Sequence, residues 1–428
     1  MVSEDFLYFI WQFQYFGHIG LKTTNGEPVQ VLHPGYRNRD SGPDFTNARL
    51  LIGAVEWAGT VEIHCRPADW YLHRHQHDRA YDTVILHVVW EDSGSTPLQR
   101  PDGTLIPTLV LKDRTDAGLL GRYQKLLKET GPILCAGRFG EVDGLHRTAM
   151  LDAALLRRLE RKAEAVRAVY AATGQDWEET VYRLLATAFG FKVNAEPFER
   201  LARTVSLKYL QKHRDSLLQV EALLFGTAGL LEEVPEDEYV LALRREHRFL
   251  ASKYGLTEQI LPAVVWKWAK LRPAGFPTLR LAQLARLVVS QRSLSGLCLD
   301  ENEPQTLLRW LQVTPSDYWQ THYRFGKTAR EGASALGEAA ARMLLINVVA
   351  PVLAAYAEHR REPVYLDRAV ALLESLPPED NRIIRLWQTL GLPVRTAFDS
   401  QAALELYNQY CLEKRCLSCR VGAQLMRL

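Results

Sequence analysis

Hydrophobic positions alternate with polar ones through the first third of the chain and recur every three or four residues through the rest. The runs "PVQVLHPG", "NARLLIG", "TVEIHC", "TVILHVVW" and "TLVLKD" are separated by Gly, Pro and Asp, and they predict strands. Residues 4–15 predict a first helix, with Ser3 as the N-cap ahead of an apolar-periodic run. A second helix fits residues 69–81, opened by Asp69 after Pro67. Near residue 131 the character changes. "LDAALLRRLERKAEAVRAVYAA" repeats apolar residues at three and four, and similar stretches follow at 176–189, 215–225, 237–253, 278–290, 334–357 and 398–411. No fixed repeat period joins them. The pattern predicts an α/β or α+β unit over 1–130, a linker over 131–147 and a mainly α-helical region over 148–428, with room for two sub-bundles.

Length and composition agree with this division. At 428 residues the chain exceeds one ordinary core, and 47% hydrophobic with 24% charged residues is typical of a globular protein. The net charge of +2 provides no global basic field, so a nucleic-acid partner would be met by a local patch. The start, "MVSEDFLYFIWQFQYF", carries acids where a secretory signal needs bases. The longest apolar stretch, "MLLINVVAPVLAAYA", is interrupted by Asn347 and Pro351 and reads as a buried helix rather than a membrane span. Six cysteines are too sparse for a disulfide scaffold. A cytoplasmic location with no membrane partner is expected.

Chemistry concentrates in "SGPDFTNARLLIGAVEWAGTVEIHCRPADW". Alternation places Glu62 and His64 on one face of their strand, with Val61 and Ile63 on the other. The connection "GAVEWAG" suits an antiparallel hairpin, which sets the strand led by Asp44 beside the one carrying Glu62. Facing carboxylates repel unless a cation lies between them. Oxygen ligands with few nitrogens favour Mg²⁺ or Mn²⁺, so Asp44 and Glu62 are the expected metal ligands. The structural alternative is a turn-capping Asp and a solvated Glu–x–His face.

"GPDF", a hairpin, "VEIH", a helix and "VILHVV" together resemble the core of the PD-(D/E)xK nuclease superfamily. The resemblance implies a restriction-endonuclease-like domain with a mixed sheet, in which Asp44 and Glu62 bind the metal and Glu4 assists. His64 stands where that superfamily usually has lysine. A neutral imidazole can position or deprotonate water but holds no fixed charge, and Arg66, on the same strand face, is the candidate to restore it. Over nearly its full length the chain also resembles a bacterial domain-of-unknown-function family numbered 2851, through "IWQFQYF", "HPGYRNRDSGPDF", "GTVEIH", "DWYLHRHQHDRAYDTVILHVV", "LRPAGFPTLRLAQLA" and "CLEKRCLSCRVG".

In "DWYLHRHQHDRAY", a continuous helix places Trp70, His73, His77 and Tyr81 on one face and turns His75 away with Asp78 and Asp82. His73, His77 and Tyr81 are therefore supporting candidates. His87 interrupts an alternating apolar strand, so it is expected to be buried and to need a partner. The C-terminus carries Cys411, Cys416 and Cys419 in a C-x4-C-x2-C spacing, one short of a closed site. Cys135 is the candidate fourth ligand for Zn²⁺ or an iron–sulfur cluster, the alternative being plain buried thiols. Bases interleaved with aromatics in "WKWAKLRPAGFPTLRLAQLARLVVSQR" and "HYRFGKTAR" nominate Lys267, Arg272, Arg280 and Lys327 for nucleic-acid binding, against ordinary solvated helix faces.

These features predict a divalent-metal-dependent nuclease, with Asp44, Glu62 and His64 as its catalytic residues. The competing expectations are a catalytically inactive binding module of the same fold and a hydrolase of another ester using the histidine cluster.

Overall fold

Ser3 caps the first helix, its side chain accepting from the Phe6 amide, and helix α1 (Glu4–Phe13) buries Phe6, Leu7, Phe9, Ile10 and Trp11. The same helix leaves Glu4 and Tyr8, one turn apart, on a half-buried face. The computed structural model describes residues 2–38, 40–92, 97–232, 234–328 and 335–428. They form two units, one made of residues 1–150 and 406–428 and the other of residues 151–405. The C-terminal segment thus joins the N-terminal unit instead of ending the helical region. Its last helix, Arg420–Arg427, packs on the helix Ala117–Lys128 and on the 3₁₀ segment Ala136–Glu141.

The first unit is organised by a mixed sheet of β1 (Val29–His33), β2 (Tyr36–Arg37), β3 (Phe45–Ile52), β4 (Val55–His64), β5 (Val84–Val89) and β6 (Thr108–Val110). The strand order is β1-β3-β4-β5-β6, with β2 pairing β3 beyond the end of β1. The β3–β4 hairpin is antiparallel, as the short connection predicts, whereas β4, β5 and β6 run parallel. Strand β5 is buried along its whole length, which explains why it reads as a nearly continuous apolar run. Gly59 makes the β4–β5 approach feasible, since a Cβ there would meet Thr83 O at 2.6 Å. At the start of β3 the register slips between Phe45 and Ala48, around Asn47 at φ 56°. This bulge lies next to Asp44.

The expected helix over 69–81 is broken. Helix α2 (Asp69–Leu72) stops after one turn, and Arg74 adopts a left-handed backbone at φ 63°. Two 3₁₀ turns follow, His75–His77 and Arg79–Tyr81, the second capped by Asp78, whose side chain accepts from the Ala80 amide.

Residues 151–405 are mainly helical, and the stretches read from sequence appear as Trp177–Phe189, Leu217–Thr227, Glu238–Tyr254 and Pro277–Ser290. The apolar run Glu338–Arg360 spans 23 residues and is long and apolar enough to cross a membrane, while 67% of its apolar window is buried in the fold. Within it a π turn at Leu345–Val349 precedes Pro351, which has no amide to offer the Asn347 carbonyl. A two-stranded ribbon pairs His322–Arg324 with Lys327–Thr328. Arg330, the end of the second basic stretch, lies outside the described residues.

Candidate metal centre

Four side chains converge where β4 ends. Register pairs Glu62 with His87 across β4 and β5, so both stand on one face of the sheet with His64 two residues on. Glu62 is buried, and its two oxygens face different partners. Oε2 accepts from the Asp44 amide at 3.0 Å, while Oε1 lies 3.6 Å from His64 Nε2 and 3.4 Å from His75 Nε2. His64 Nε2 also meets His73 Nδ1 at 3.1 Å, and one nitrogen from each of His64, His73 and His75 falls within 4.8 Å of the others. His75 therefore points into the site, not away from it. The left-handed Arg74 reverses the chain between two histidines that a continuous helix would hold apart.

A shell of packing fixes the imidazoles. His64 Nδ1 lies 2.8 Å from His87 Nε2, and His87 is fully buried. Trp70, also fully buried, presents its edge to His75 and His87 with ring centres 5.3 and 5.7 Å away. Tyr81 stacks on His75 with ring centres 3.9 Å apart. The partner that His87 is expected to need is thus the ring of His64. His73 is the exposed member and opens the site to solvent.

Asp44 occupies a different position from the one expected. Its Oδ2 accepts from the Ile63 amide at 2.9 Å and its Oδ1 from Arg37 Nη1 at 2.9 Å. Asp44 and Glu62 are therefore linked through backbone amides, with Asp44 holding the strand ends and Glu62 turned towards the imidazoles. Arg37 lies with its guanidinium carbon 3.6 Å from the centre of the Tyr8 ring, and the Tyr8 hydroxyl donates to Glu4 Oε2 at 3.3 Å. Glu4 feels the charges of both Asp44 and His73. Arg66, the sequence candidate for a fixed positive charge, lies beyond the end of β4 and is exposed. Arg37 takes that position instead. Its two-residue strand has no periodic signal, and reasoning from sequence missed it together with His75 and Tyr8.

Burial and mutual repulsion raise the pKa values of the acids. Glu62 is pushed up to about 9, first by burial and then by Asp44. Asp44 is raised by burial against the lowering effect of Arg37, and burial raises Glu4 as well. The imidazoles shift the other way. Burial, then the neighbouring rings, lowers His64 to about 2, and burial lowers His75 to about 4 and His87 to about 3. Neutral imidazoles offer lone pairs, and a cation reverses the penalty on the carboxylates. The fit to a metal has a direct mark: His75 Nε2 is buried and, among the described residues, has no hydrogen-bond partner. Three nitrogens and one carboxylate oxygen suit Zn²⁺, Mn²⁺ or Fe²⁺ better than the all-oxygen preference of Mg²⁺. For His64 Nε2 to act as a ligand, Nδ1–H must donate to His87 Nε2, the outer-shell support that ligating histidines normally have.

The remaining sequence candidates are not members of this cluster. His77 is exposed on the 3₁₀ turn. Lys267, Arg272 and Lys327 are exposed within the second unit, but Arg280 is not a solvated base. Its guanidinium carbon sits 4.5 Å from the Phe191 ring centre, Nη1 donates to Gln283, and burial lowers its pKa to about 10. Trp266 is also withdrawn, its indole donating to Ala228 O at 2.8 Å.

Fold and site together define a mixed α/β protein with a carboxylate–imidazole cluster at the end of the central strand β4 of its N-terminal sheet. The chain belongs to the family described as protein of unknown function (DUF2851), matched over residues 4–382. No curated protein and no solved structure matches it significantly.

Proposed function

We propose that the protein is a divalent-metal-dependent hydrolase of phosphodiester bonds, a nuclease in class. The observation that carries this reading is the mutual approach of the His64, His73 and His75 nitrogens within 4.8 Å, with Glu62 Oε1 beside two of them, 3.6 Å from His64 Nε2 and 3.4 Å from His75 Nε2. A divalent cation held there supplies a water of lowered pKa and stabilises charge on a phosphoryl oxygen. His64, His73 and His75 would hold it, with Glu62 Oε1 as the candidate fourth donor. Asp44 keeps Glu62 oriented through its amide, and Arg37 provides positive charge beside the acids. Glu4 and Tyr8 line the adjoining helix face. The first helix, the antiparallel strands and the parallel strand after them support the PD-(D/E)xK resemblance, although its second helix is reduced here to one turn and two 3₁₀ turns, and that resemblance favours a phosphodiester over other esters. Lys267, Arg272 and Lys327 remain candidates for backbone contacts on a nucleic acid.

The test is incubation of the purified chain with labelled single- and double-stranded DNA and RNA plus Mn²⁺ or Zn²⁺, beside Glu62→Ala. Metal-dependent cleavage that the variant loses supports the proposal. Binding with intact product points to a non-catalytic module. The nitrogen-rich donor set also suits a hydrolase of a different ester. Turnover of p-nitrophenyl acetate without turnover of bis(p-nitrophenyl) phosphate selects that second reading.

A further inference from the structure

Away from the histidine site, the first unit gathers four of the six cysteines of the chain. Cys135 immediately precedes the 3₁₀ segment Ala136–Glu141, and Cys419 occupies the N-cap of the helix Arg420–Arg427 that packs against that segment. Cys416 opens the intervening 3₁₀ turn, and its carbonyl accepts from the Cys419 amide at 3.2 Å. Cys411 closes the π turn Tyr407–Cys411, whose carbonyl accepts from the Lys414 amide at 3.1 Å. Gly422 allows the tight fold of this loop, because a Cβ there would lie 2.0 Å from Cys416 O. Amides of Val421 and Gly422 donate to the Cys419 sulfur. All six cysteines are free thiols, so no disulfide accounts for the arrangement.

These thiols sense one another. Burial, then Cys419 and Cys416, pushes Cys135 up to about 12; burial, then Cys419, pushes Cys416 up to about 12. Cys411 is raised by burial and by the other three. Cys135 and Cys419 are buried and Cys411 and Cys416 partly so, and as thiolates all four need a cation to offset their charge. A lone Zn²⁺, at about 2.3 Å from each sulfur, would draw them to about 3.8 Å apart. Among the described residues, however, the only donor group within 4.8 Å of one another is His64, His73 and His75. No three of the four sulfurs lie within 4.8 Å of one another, a looser set than the close one around a single zinc.

We propose that Cys135, Cys411, Cys416 and Cys419 ligate one [4Fe–4S] cluster, which fastens the C-terminal segment to the N-terminal unit. The cluster is structural, and the proposal does not depend on the hydrolase reading. The C-x4-C-x2-C motif supplies three thiolates from one loop, and Cys135 supplies the fourth from a position far away in sequence. Four thiolates complete the ligand set of such a core, and the amides at Cys419 stabilise its sulfur.

The test is anaerobic purification of the full chain from iron-replete cells, with iron, acid-labile sulfide and zinc measured together. A brown protein with about four irons and four sulfides per chain is expected. Cys135→Ser and Cys419→Ser should lose most of both, while Cys298→Ser and Cys65→Ser keep them. Should the loop variants fail to fold, the wild-type content and its Mössbauer spectrum still decide. Limited proteolysis after iron chelation should then release the segment 406–428 at least about tenfold faster. Colourless protein, stoichiometric zinc without sulfide, or a cluster retained in both loop variants overturns the proposal.

Discussion

Asp44 and Glu62 hold each other through the backbone: the Asp44 amide donates to Glu62 Oε2 at 3.0 Å, and the Ile63 amide returns a bond to Asp44 Oδ2 at 2.9 Å. One oxygen of Glu62 is thereby anchored, and the other faces His64 and His75. Glu62→Gln can keep the anchoring acceptor while placing an amide nitrogen against the imidazoles. Cation affinity should fall by more than the roughly 10–100-fold typical of losing an outer-shell partner, with the melting temperature little changed. Isothermal titration with Mn²⁺ and thermal melts check this, and unchanged affinity would remove Glu62 from the ligand set.

His87 touches His64 and is sealed from solvent, so it acts on the site only through that ring. His87→Phe should weaken cation binding by about 10–100-fold, the usual effect of losing an imidazole's outer partner. Direct ligation by His87 would produce a larger loss together with a changed metal spectrum, which Co²⁺ absorption would reveal.

The raised pKa of Glu62 makes cation binding a proton-releasing event. With its pKa near 9, Glu62 is protonated at pH 7.5 in the metal-free protein, whereas His64 and His75, lowered to about 2 and 4, are already neutral. About one proton should leave on binding at that pH, measured as a buffer-dependent heat. The stability sign follows. Between the ordinary 4.5 and about 9 the folded state holds a proton that the unfolded state has lost, so metal-free stability falls as pH rises through that window. Saturating cation should flatten the slope. A buffer-independent heat would contradict the assignment.

In the second unit, burial and then Arg158 lower Lys162 from 10.5 to about 7, while its amine donates to Asn347 Oδ1 at 2.6 Å. Between pH 7 and 10.5 the unfolded chain binds a proton there that the folded chain does not, so this group makes stability rise with pH. Lys162→Met should lessen the gain in melting temperature between pH 7 and 10. An identical slope in the variant would show that the amine is charged in the fold.

Much of this architecture can be read along the chain because it is local. Ser3 caps α1 where the apolar period begins, the β3–β4 hairpin follows from its short connection, and His87 stands out as a polar residue within an apolar strand. The surprises come from non-local or non-periodic causes. Arg74 adopts a left-handed backbone that nothing in its side chain announces, and the chain reversal there turns His75 into the site. Arg37 lies in a strand too short to carry a pattern. Asp44 looks like a facing ligand until its oxygens find the Ile63 amide and the Arg37 guanidinium. The helices Ala117–Lys128, Ala195–Thr204 and Val364–Ser375 escaped the sequence reading, and the return of residues 406–428 to the first unit depends on packing far from them in sequence.

The central claim is that Glu62, His64, His73 and His75 share one divalent cation. Anomalous diffraction from crystals soaked in Mn²⁺ or Zn²⁺ tests it most directly. The account predicts one strong peak at about 2.0–2.2 Å from Glu62 Oε1, His64 Nε2, His73 Nδ1 and His75 Nε2. A saturated soak with no density among these atoms, or with its peak bound elsewhere in the unit, would contradict it.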